Sequence, residues 1–372
     1  MSVASALVAG NDPLPQLAEQ ALRLALEKAG EQQANGVLLF LTAEFSRHAQ
    51  QAVTAVARAA RCTQVAGGIA AGVFTDSGWV LDRPAAAVMV FTGGISLGHP
   101  ETLALSGEPL LSYAGSTLPQ GWSDVGQKRF GGSFAGHAGR VDPVAWQQSR
   151  LTDQCSVQLL GAHVEVGVST GWRLLGDAQP VDSSRAYELL RLGGHTALDS
   201  LLAAVREDGH DGSPPMTSLC AVLIDDGASS ETQGQFSCAD GAHHLIAIIA
   251  SSQQGSLTLA ERMLPGQRLA WAIRLPEAAA EDMRRSVARL AVVARHPVGA
   301  VAFSCIGRGP YFHDGEDRDI DCLRERFPGL PLIGTYGTGQ IAPSPARGML
   351  QNAVVTALIS HVARRFDVQS KP

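Results

Sequence analysis

A thiol and a guanidinium stand three residues apart in Ser304-Cys305-Ile306-Gly307-Arg308-Gly309, directly after the apolar run 299–304. The carboxyl end of a strand is where layered α/β proteins commonly present groups to a ligand. An arginine between two glycines at such a place can hold a carboxylate or phosphate through two parallel hydrogen bonds. It can equally pair with the acidic run that follows, Asp314, Glu316 and Asp317. Cys305 has no histidine beside it in sequence to serve as its base, so it reads as a buried thiol or, in a hydrolase, as a nucleophile. A second nucleophile pattern is Gly167-Val168-Ser169-Thr170-Gly171, which fits G-x-S-x-G. That motif works on a sharp strand-to-helix turn. Here Trp172-Arg173-Leu174-Leu175-Gly176 runs into Gln179-Pro180 and leaves no room for the helix. A strand end turning on two glycines is the competing reading for Ser169.

Three short glycine-rich segments carry the other candidate chemistry. They are Gly67-Gly68-Ile69-Ala70-Ala71-Gly72, Gly131-Gly132-Ser133-Phe134-Ala135-Gly136 and Gly334-Thr335-Tyr336-Gly337-Thr338-Gly339, the last running into Gln340-Ile341. In each a glycine recurs five positions after the first. None ends in the Gly-Lys-Ser/Thr of a phosphate loop, and G-x-x-G-x-G reverses the dinucleotide fingerprint. Backbone so poor in side chains serves either tight chain crossings or the close approach of a ligand. On the functional reading the loops come from two halves of the chain and line one shared pocket.

No metal pattern stands out. The six cysteines form no C-x-x-C pair, and the acidic run 314–321 lacks the loop glycine and terminal glutamate of a calcium hand. That run instead suits the first turn of a helix. His243 and His244 are adjacent and, on a strand, point to opposite faces. His137, His163 and His195 are candidate haem or metal ligands without a supporting motif.

The elements that must position these groups follow from hydrophobic periodicity. Helices are predicted over 14–29, 43–61, 184–190, 196–206, 278–294 and 316–327. The first has Leu17, Ala21, Leu24 and Leu26 as its apolar stripe, Asp12-Pro13 as its start and Gly30 as its stop. Strands are predicted over 37–41, 86–91, 108–113, 154–160, 163–168, 219–224, 243–250, 268–274, 299–304, 331–333 and 351–360. The order strand, helix, glycine segment occurs near both ends, and Gly36-Val37-Leu38-Leu39-Phe40 parallels Gly299-Ala300-Val301-Ala302-Phe303. This suggests an internal duplication. The expected fold class is mixed α/β (α+β): two related, pseudo-symmetric layered domains of buried β-sheet flanked by helices.

Composition bounds the function. At 372 residues the chain is long enough for two domains, and 45% apolar with 17% charged residues suits a packed globular protein. A net charge of −6 argues against a nucleic-acid groove. No apolar run reaches membrane-spanning length, and the first ten residues lack the basic start of a signal peptide. A reducing cytoplasm is the expected compartment.

On these marks the chain resembles the FIST family. The C-terminal half is similar to FIST C through Pro265-Gly266, the helix over 278–294, Phe303-Ser304-Cys305-Ile306-Gly307-Arg308-Gly309 and Gly334 to Ile341. The first half resembles FIST N through 67–72, Gly167-Val168-Ser169-Thr170-Gly171-Trp172 and Ala197-Leu198-Asp199. The expected division is a lead-in over 1–34, a FIST N-like domain over 35–235, a FIST C-like domain over 236–362 and a tail over 363–372. The resemblance implies a sensory module that binds a small ligand, such as an amino acid or a similar small anion, in a cleft between the two domains. Gly67, Gly72, Cys305, Gly307, Arg308, Tyr336, Thr338, Gly339 and Gln340 are the expected contacts. The signal would pass to a separate partner, a histidine kinase or another signalling protein. Some relatives resemble haem proteins that sense nitric oxide, so haem is the alternative cofactor; hydrolysis through Ser169 or Cys305 is the other alternative. Two departures stand out. Gln340 occupies a place where the family usually has glutamate, and Gly68-Ile69-Ala70 with Val73 replaces a Cys-Ser-Thr segment and its acid.

Overall fold

The fold repeats one small unit three times. The computed structural model describes residues 2–98, 107–115, 118–119, 121–122, 127–136, 144–209, 214–224, 244–343 and 349–362. They form two compact units. The first takes in Met1–Gly167, Val287–Pro343 and Arg347–Pro372, and the second Val168–Ser286 with Ser344–Ala346. The expected boundary at 235/236 lies outside the described residues.

In the first unit each repeat is built on a central strand: Gly36–Thr42, Leu110–Ala114 or Pro297–Cys305. Beside it runs a parallel strand that begins one glycine segment: Val65–Ala70, Arg129–Ser133 or Leu332–Gly337. On its other side a return strand runs antiparallel: Ala85–Phe91, Gln154–Leu160 or Val354–His361. A lead strand flanks each return strand, namely Val3–Ala9, Ser96–Gly98 and Ala162–Ser169.

The registers make the repeats equivalent residue by residue. Leu39 faces Gly67 and Val88, Ser112 faces Gly131 and Ser156, and Ala302 faces Gly334 and Thr356. After its glycine strand the chain kinks and lends a short strand to a neighbouring repeat. Gly72–Thr75 pairs with the glycine strand of repeat three, Ala145–Gln147 with that of repeat one, and Gly339–Ile341 with that of repeat two. The exchange closes a ring, a pseudo-threefold arrangement. The expected duplication of the two chain ends is therefore extended by a third copy in the middle. Its marker in the sequence was the glycine segment 131–136, but its strands are too short and polar to show the pattern.

The sheets bury both faces. All seven residues of Gly36–Thr42 are buried, as are the last seven of Pro297–Cys305, which is why these runs read as continuously apolar. Helices α1 (Pro15–Ala29) and α2 (Ala49–Ala60) cover repeat one and α5 (Arg318–Arg326) lies against repeat three, while α4 (Pro276–Val293) precedes the central strand of repeat three along the chain. Helix α1 starts on Pro15, one turn-residue later than Asp12-Pro13 suggested, and stops at Gly30, whose φ of 75° closes it. Its buried face is Ala18, Ala21, Leu22, Ala25, Leu26 and Ala29, so Leu24 is not part of the stripe. The helix expected over 43–61 is instead a 3₁₀ turn, Ala43–Phe45, followed by α2. At the centre, the equivalent residues Phe40, Tyr113 and Phe303 meet, with ring centroids 5.5, 5.9 and 6.1 Å apart. These contacts make Phe40, Tyr113 and Phe303 the axis of the unit.

The second unit is an antiparallel sheet that closes on itself. Arg268–Ile273 pairs with Leu219–Ile224 on one side and with Gln179–Arg185 on the other; Glu188–Leu192, Leu257–Leu259 and His244–Ser251 complete the ring. Closure removes the exposed edges that an open sheet would present. Alternate residues such as Leu219, Ala221, Leu269, Trp271 and Ile273 turn into its core, which helix α3 (Ala197–Glu207) supports with Leu201 and Val205. Here the expected helix over 184–190 is corrected. Those residues belong to two strands, joined by a turn at Ala186 with φ 54°. Ring closure needs them extended, and this tertiary demand overrides their local helical preference.

Candidate functional site

The three kinks lie at the carboxyl ends of the central strands, and all nine expected contact residues belong to the first unit. What the glycines do is plain from their neighbours. A Cβ on Gly67 would lie 1.9 Å from the carbonyl oxygen of Leu39, on Gly131 1.7 Å from that of Ser112, and on Gly334 2.3 Å from that of Ala302. The same clash recurs in every repeat, so the first glycine of each segment is required by strand crossing. The second role is to admit rings: a Cβ on Gly68 would meet the Tyr113 ring, and one on Gly132 the Phe303 ring. The segments expected as open loops are thus largely strand, joined to their neighbours by main-chain bonds. Ala71 donates to the Tyr336 carbonyl at 3.0 Å, Thr338 to that of Ser133 at 2.8 Å, and Ile69 to that of Val144 at 2.9 Å. The expected convergence is present, but the bends meet as packed backbone. Two wide grooves, of about 490 and 470 Å³, sit at the opposite ends of these strands, beside Arg58 and Arg61 and beside Pro297 and Pro331.

Arg308 is not exposed, contrary to the expectation from its flanking glycines. It is fully buried and grips Asp319 with two bonds, Nε to Oδ2 at 2.9 Å and Nη2 to Oδ1 at 3.0 Å. The acidic run does supply its partner, through Asp319 rather than Asp314, Glu316 or Asp317. Asp317 caps α5: its Oδ1 accepts from the main-chain N–H groups of Asp319 at 3.1 Å and Ile320 at 2.9 Å. Its other oxygen accepts from the hydroxyl of Tyr336, which ties the third glycine segment to the helix. Burial, with the neighbouring Asp319 charge, raises the Asp317 carboxyl to about 6. Burial, the largest single influence, would raise Asp319 as well, but the Arg308 charge and hydrogen bonds together with the neighbouring His313 outweigh it and hold that carboxyl below its ordinary value. His313 is buried beside them, with Nε2 3.9 Å from Asp319 Oδ2 and neither ring nitrogen within hydrogen-bond distance of a partner among the described residues. Sequence reasoning missed His313, Asp319 and the structural part of Asp317. The aspartates were visible as a helix start; their distance from Arg308 in the fold was not.

The remaining contacts divide by environment. Cys305 is 6% exposed, and Gly307 lies near Asn352. Thr338 is half-buried and its hydroxyl accepts from the Ala135 N–H at 2.9 Å. Gly339 packs against Met349 and Ser133. Gln340 is fully buried, and neither its side-chain nitrogen nor its oxygen has a hydrogen-bond partner among the described residues.

The alternative chemistries find other settings. Ser169 is buried, donates to Asp282 Oδ2 at 2.7 Å, and is followed by the short strand Arg173–Leu174 rather than a helix. The Gly171 N–H donates to the same oxygen at 3.0 Å, so the motif is a turn clamped by α4. His163 holds Glu108 with one ring nitrogen and Glu165 with the other, at 2.6 and 2.8 Å. His195 is exposed in the second unit, and His137 and His243 lie outside the described residues. Among the described residues no group of three or more His, Cys, Asp or Glu side chains is arranged to hold a metal ion, and no helix is long and apolar enough to cross a membrane.

Comparison with known proteins accords with this layout. The model of the FIST N domain matches residues 35–195 and that of the FIST C domain residues 197–343. Two uncharacterized proteins of Mycobacterium tuberculosis, from strains CDC 1551 / Oshkosh and H37Rv, are each 25% identical over 251 residues. That stretch is 66% of this chain and 62% of each relative. An uncharacterized protein of Mycobacterium bovis is 28% identical over 203 residues, 52% of this chain and 50% of its own length. The FIST N and FIST C matches both contribute strands to the three-repeat unit.

Proposed function

The chain belongs to the FIST family, whose domains are sensory domains of signal-transduction proteins, and we propose that it senses a small ligand at the kinked end of its three-repeat unit. One observation carries the reading. Of the residues at this end, Gln340 is a buried amide whose polar atoms are both unpartnered, and such groups normally find a partner. Thr338 and Gly339 lead to it, and Cys305 ends the adjacent central strand. Arg308 is a positioning residue in this account: its bond to Asp319 holds the turn over 306–308 against α5. An amino acid or a comparably small molecule is the ligand class, and a histidine kinase or another signalling protein the partner. The cytoplasm is the proposed location, a reducing compartment that suits a chain whose cysteines form no C-x-x-C pair.

Thermal unfolding of the full chain in the presence of each of the twenty L-amino acids tests the reading. At a concentration 100-fold above Kd a bound ligand adds about 2.7 kcal/mol, so a true ligand raises Tm by several degrees. If no amino acid moves Tm and native mass spectrometry finds no retained small molecule, the proposal fails.

A further inference from the structure

The repeats provide an internal control for every buried position. Gly334, Gly131 and Gly67 pair with Phe74, Ile341 and Trp146, so the residues just before these three are equivalent. Those residues are Val73, Gln340 and Ala145. Val73 and Ala145 are 0% and 1% exposed, and Gln340 is 0% exposed. Two repeats therefore fill this place with an aliphatic side chain. The third puts there a carboxamide, with a donor and an acceptor that nothing in the described structure satisfies.

The direction in which Gln340 points follows from its pairing. It stands opposite Gly132, and a Cβ on Gly132 would point into the Phe303 ring. Residues directly opposite in an antiparallel pair share a face. Gln340 is thus on the axial face, beside Phe303, on the side where Phe40 and Tyr113 converge. Other polar side chains on this face are already engaged: the Tyr113 hydroxyl donates to the Ile69 carbonyl at 2.7 Å, and Thr335, paired with Phe303, interacts with Tyr113. Arg308, the cation expected among the ligand contacts, is bound to Asp319.

From this we infer that Gln340 is the specificity-determining residue of the site, and that it takes a small neutral ligand presenting a carboxamide-type edge, with donor and acceptor side by side. A carboxamide is complementary to such an edge because it offers both roles itself. A charged ligand group set beside Phe303 would lose its hydration with no counter-charge to replace it. The amide is sealed in this structure, so the ligand enters through local opening at the kink, where Thr338 is half-buried and Ala135 exposed. Opening at such a point is the two-state element that a sensor requires. The inference rests on the small-ligand reading above and adds the ligand's chemistry.

The test uses the full chain, with L-asparagine against L-aspartate and acetamide against acetate as probes, and Gln340→Val and Gln340→Met as variants. Thermal unfolding of the wild type should rise by about 2–4 °C or more with the amide probes and stay unmoved by the acids. Both variants should begin from a higher Tm than wild type and lose the response to amides. Two variants are used because valine copies the sister repeat, whereas methionine keeps the volume of glutamine. Amide probes that stabilise wild type and both variants alike would overturn the assignment, leaving a small-ligand module whose site lies elsewhere. Variants that keep the wild-type circular dichroism but start from a lower Tm would also overturn it, since the amide would then have partners in the fold. Stabilisation by some other amino acid and by neither amide probe would sink the ligand class while sparing the sensory reading. Raised starting Tm with no amide response in wild type would mean that Gln340 holds an internal water only, and that too overturns the proposal.

Discussion

The first and third repeats solve the same packing problem with opposite chemistry. Their central strands each end in a 3₁₀ turn, Ala43–Phe45 and Ile306–Arg308, and the last residue of each turn is fully buried. In repeat one it is Phe45; in repeat three it is Arg308, bound to Asp319 and set beside Asp317 and His313. At the kink the contrast recurs as Val73 against Gln340. Repeat one shows that an apolar side chain suits each place. The polar version in repeat three is therefore not demanded by the backbone, and buried ionic groups of this kind often contribute less to stability than well-packed apolar ones. The lesson is that, of these two repeats, the buried ion pair and the unpartnered amide both fall in the one that carries Cys305-Ile306-Gly307-Arg308-Gly309, the repeat to which the proposal assigns the site.

Breaking the ion pair is the harshest way to probe that contrast. Arg308→Ala leaves Asp319 buried without a counter-charge and should cost about 3–5 kcal/mol, read from urea unfolding. The double change Arg308→Met with Asp319→Leu should recover most of the loss. A cost below about 1 kcal/mol for the single change would show the pair to be solvated, contrary to this account.

The threefold equivalence itself can be attacked at the glycines. Alanine at Gly67, Gly131 or Gly334 would each time overlap a carbonyl of the central strand, and overpacking of this kind costs about 1–3 kcal/mol or more. Gly94, with nothing within 4 Å of its Cβ position, is the control and should tolerate alanine. Unequal losses, with one of the three neutral, would break the equivalence.

Converting Tyr113 to the phenylalanine of its sisters sharpens the comparison at the axis. It removes the bond to the Ile69 carbonyl and should cost about 0.5–1.5 kcal/mol. A gain in stability would place that hydroxyl among the unsatisfied groups instead.

Acid titration separates the repeats by a smaller effect. The Asp317 carboxyl titrates near 6 in the fold and near 4 when unfolded. Between those values the folded chain holds the extra proton, so this group's contribution falls as pH rises towards 6 and is lost above it. Asp317→Asn keeps a good helix cap and should flatten that part of the stability profile relative to wild type. His163 runs on a different window. Its bond to Glu108, with Glu165 on the other nitrogen, raises its pKa above the ordinary value, against a partial loss from burial. Its contribution is complete below about 6.5 and disappears as pH rises through the folded value. His163→Gln should therefore cost stability at pH 5.5 and nothing measurable at pH 9. An unchanged profile in either variant would remove that group from the account.

Much of this fold was legible in the sequence, for reasons that particular residues make clear. The buried central strands announced themselves because both faces are apolar, and the recurrence of glycine at five-residue spacing marked three segments, although the strand pattern around them indicated a duplication of the two chain ends alone. The lead strand Val3–Ala9 was not seen, because Ala4, Ser5 and Ala6 give neither alternation nor bulk. The second repeat was hidden because Leu110–Ala114 and Arg129–Ser133 are only five residues each. At the site, Arg308 and Gln340 could be singled out by type and setting. Burial and pairing could not, since Asp319 meets Arg308 only after a helix has turned the chain back. The ring of exchanged strands depends on contacts such as Gly131 with Ile341, far apart in sequence, and no local pattern encodes them.

A reciprocal exchange at the kink tests the central claim most directly: Gln340→Val in one protein and Val73→Gln in another, each followed by equilibrium urea unfolding without added ligand. Freeing the fold of an unsatisfied amide should raise the first by about 1–3 kcal/mol, and creating one should lower the second by a similar amount. If Gln340→Val unfolds at lower urea than wild type, glutamine is the residue this place prefers for stability, and the case for a ligand there is contradicted.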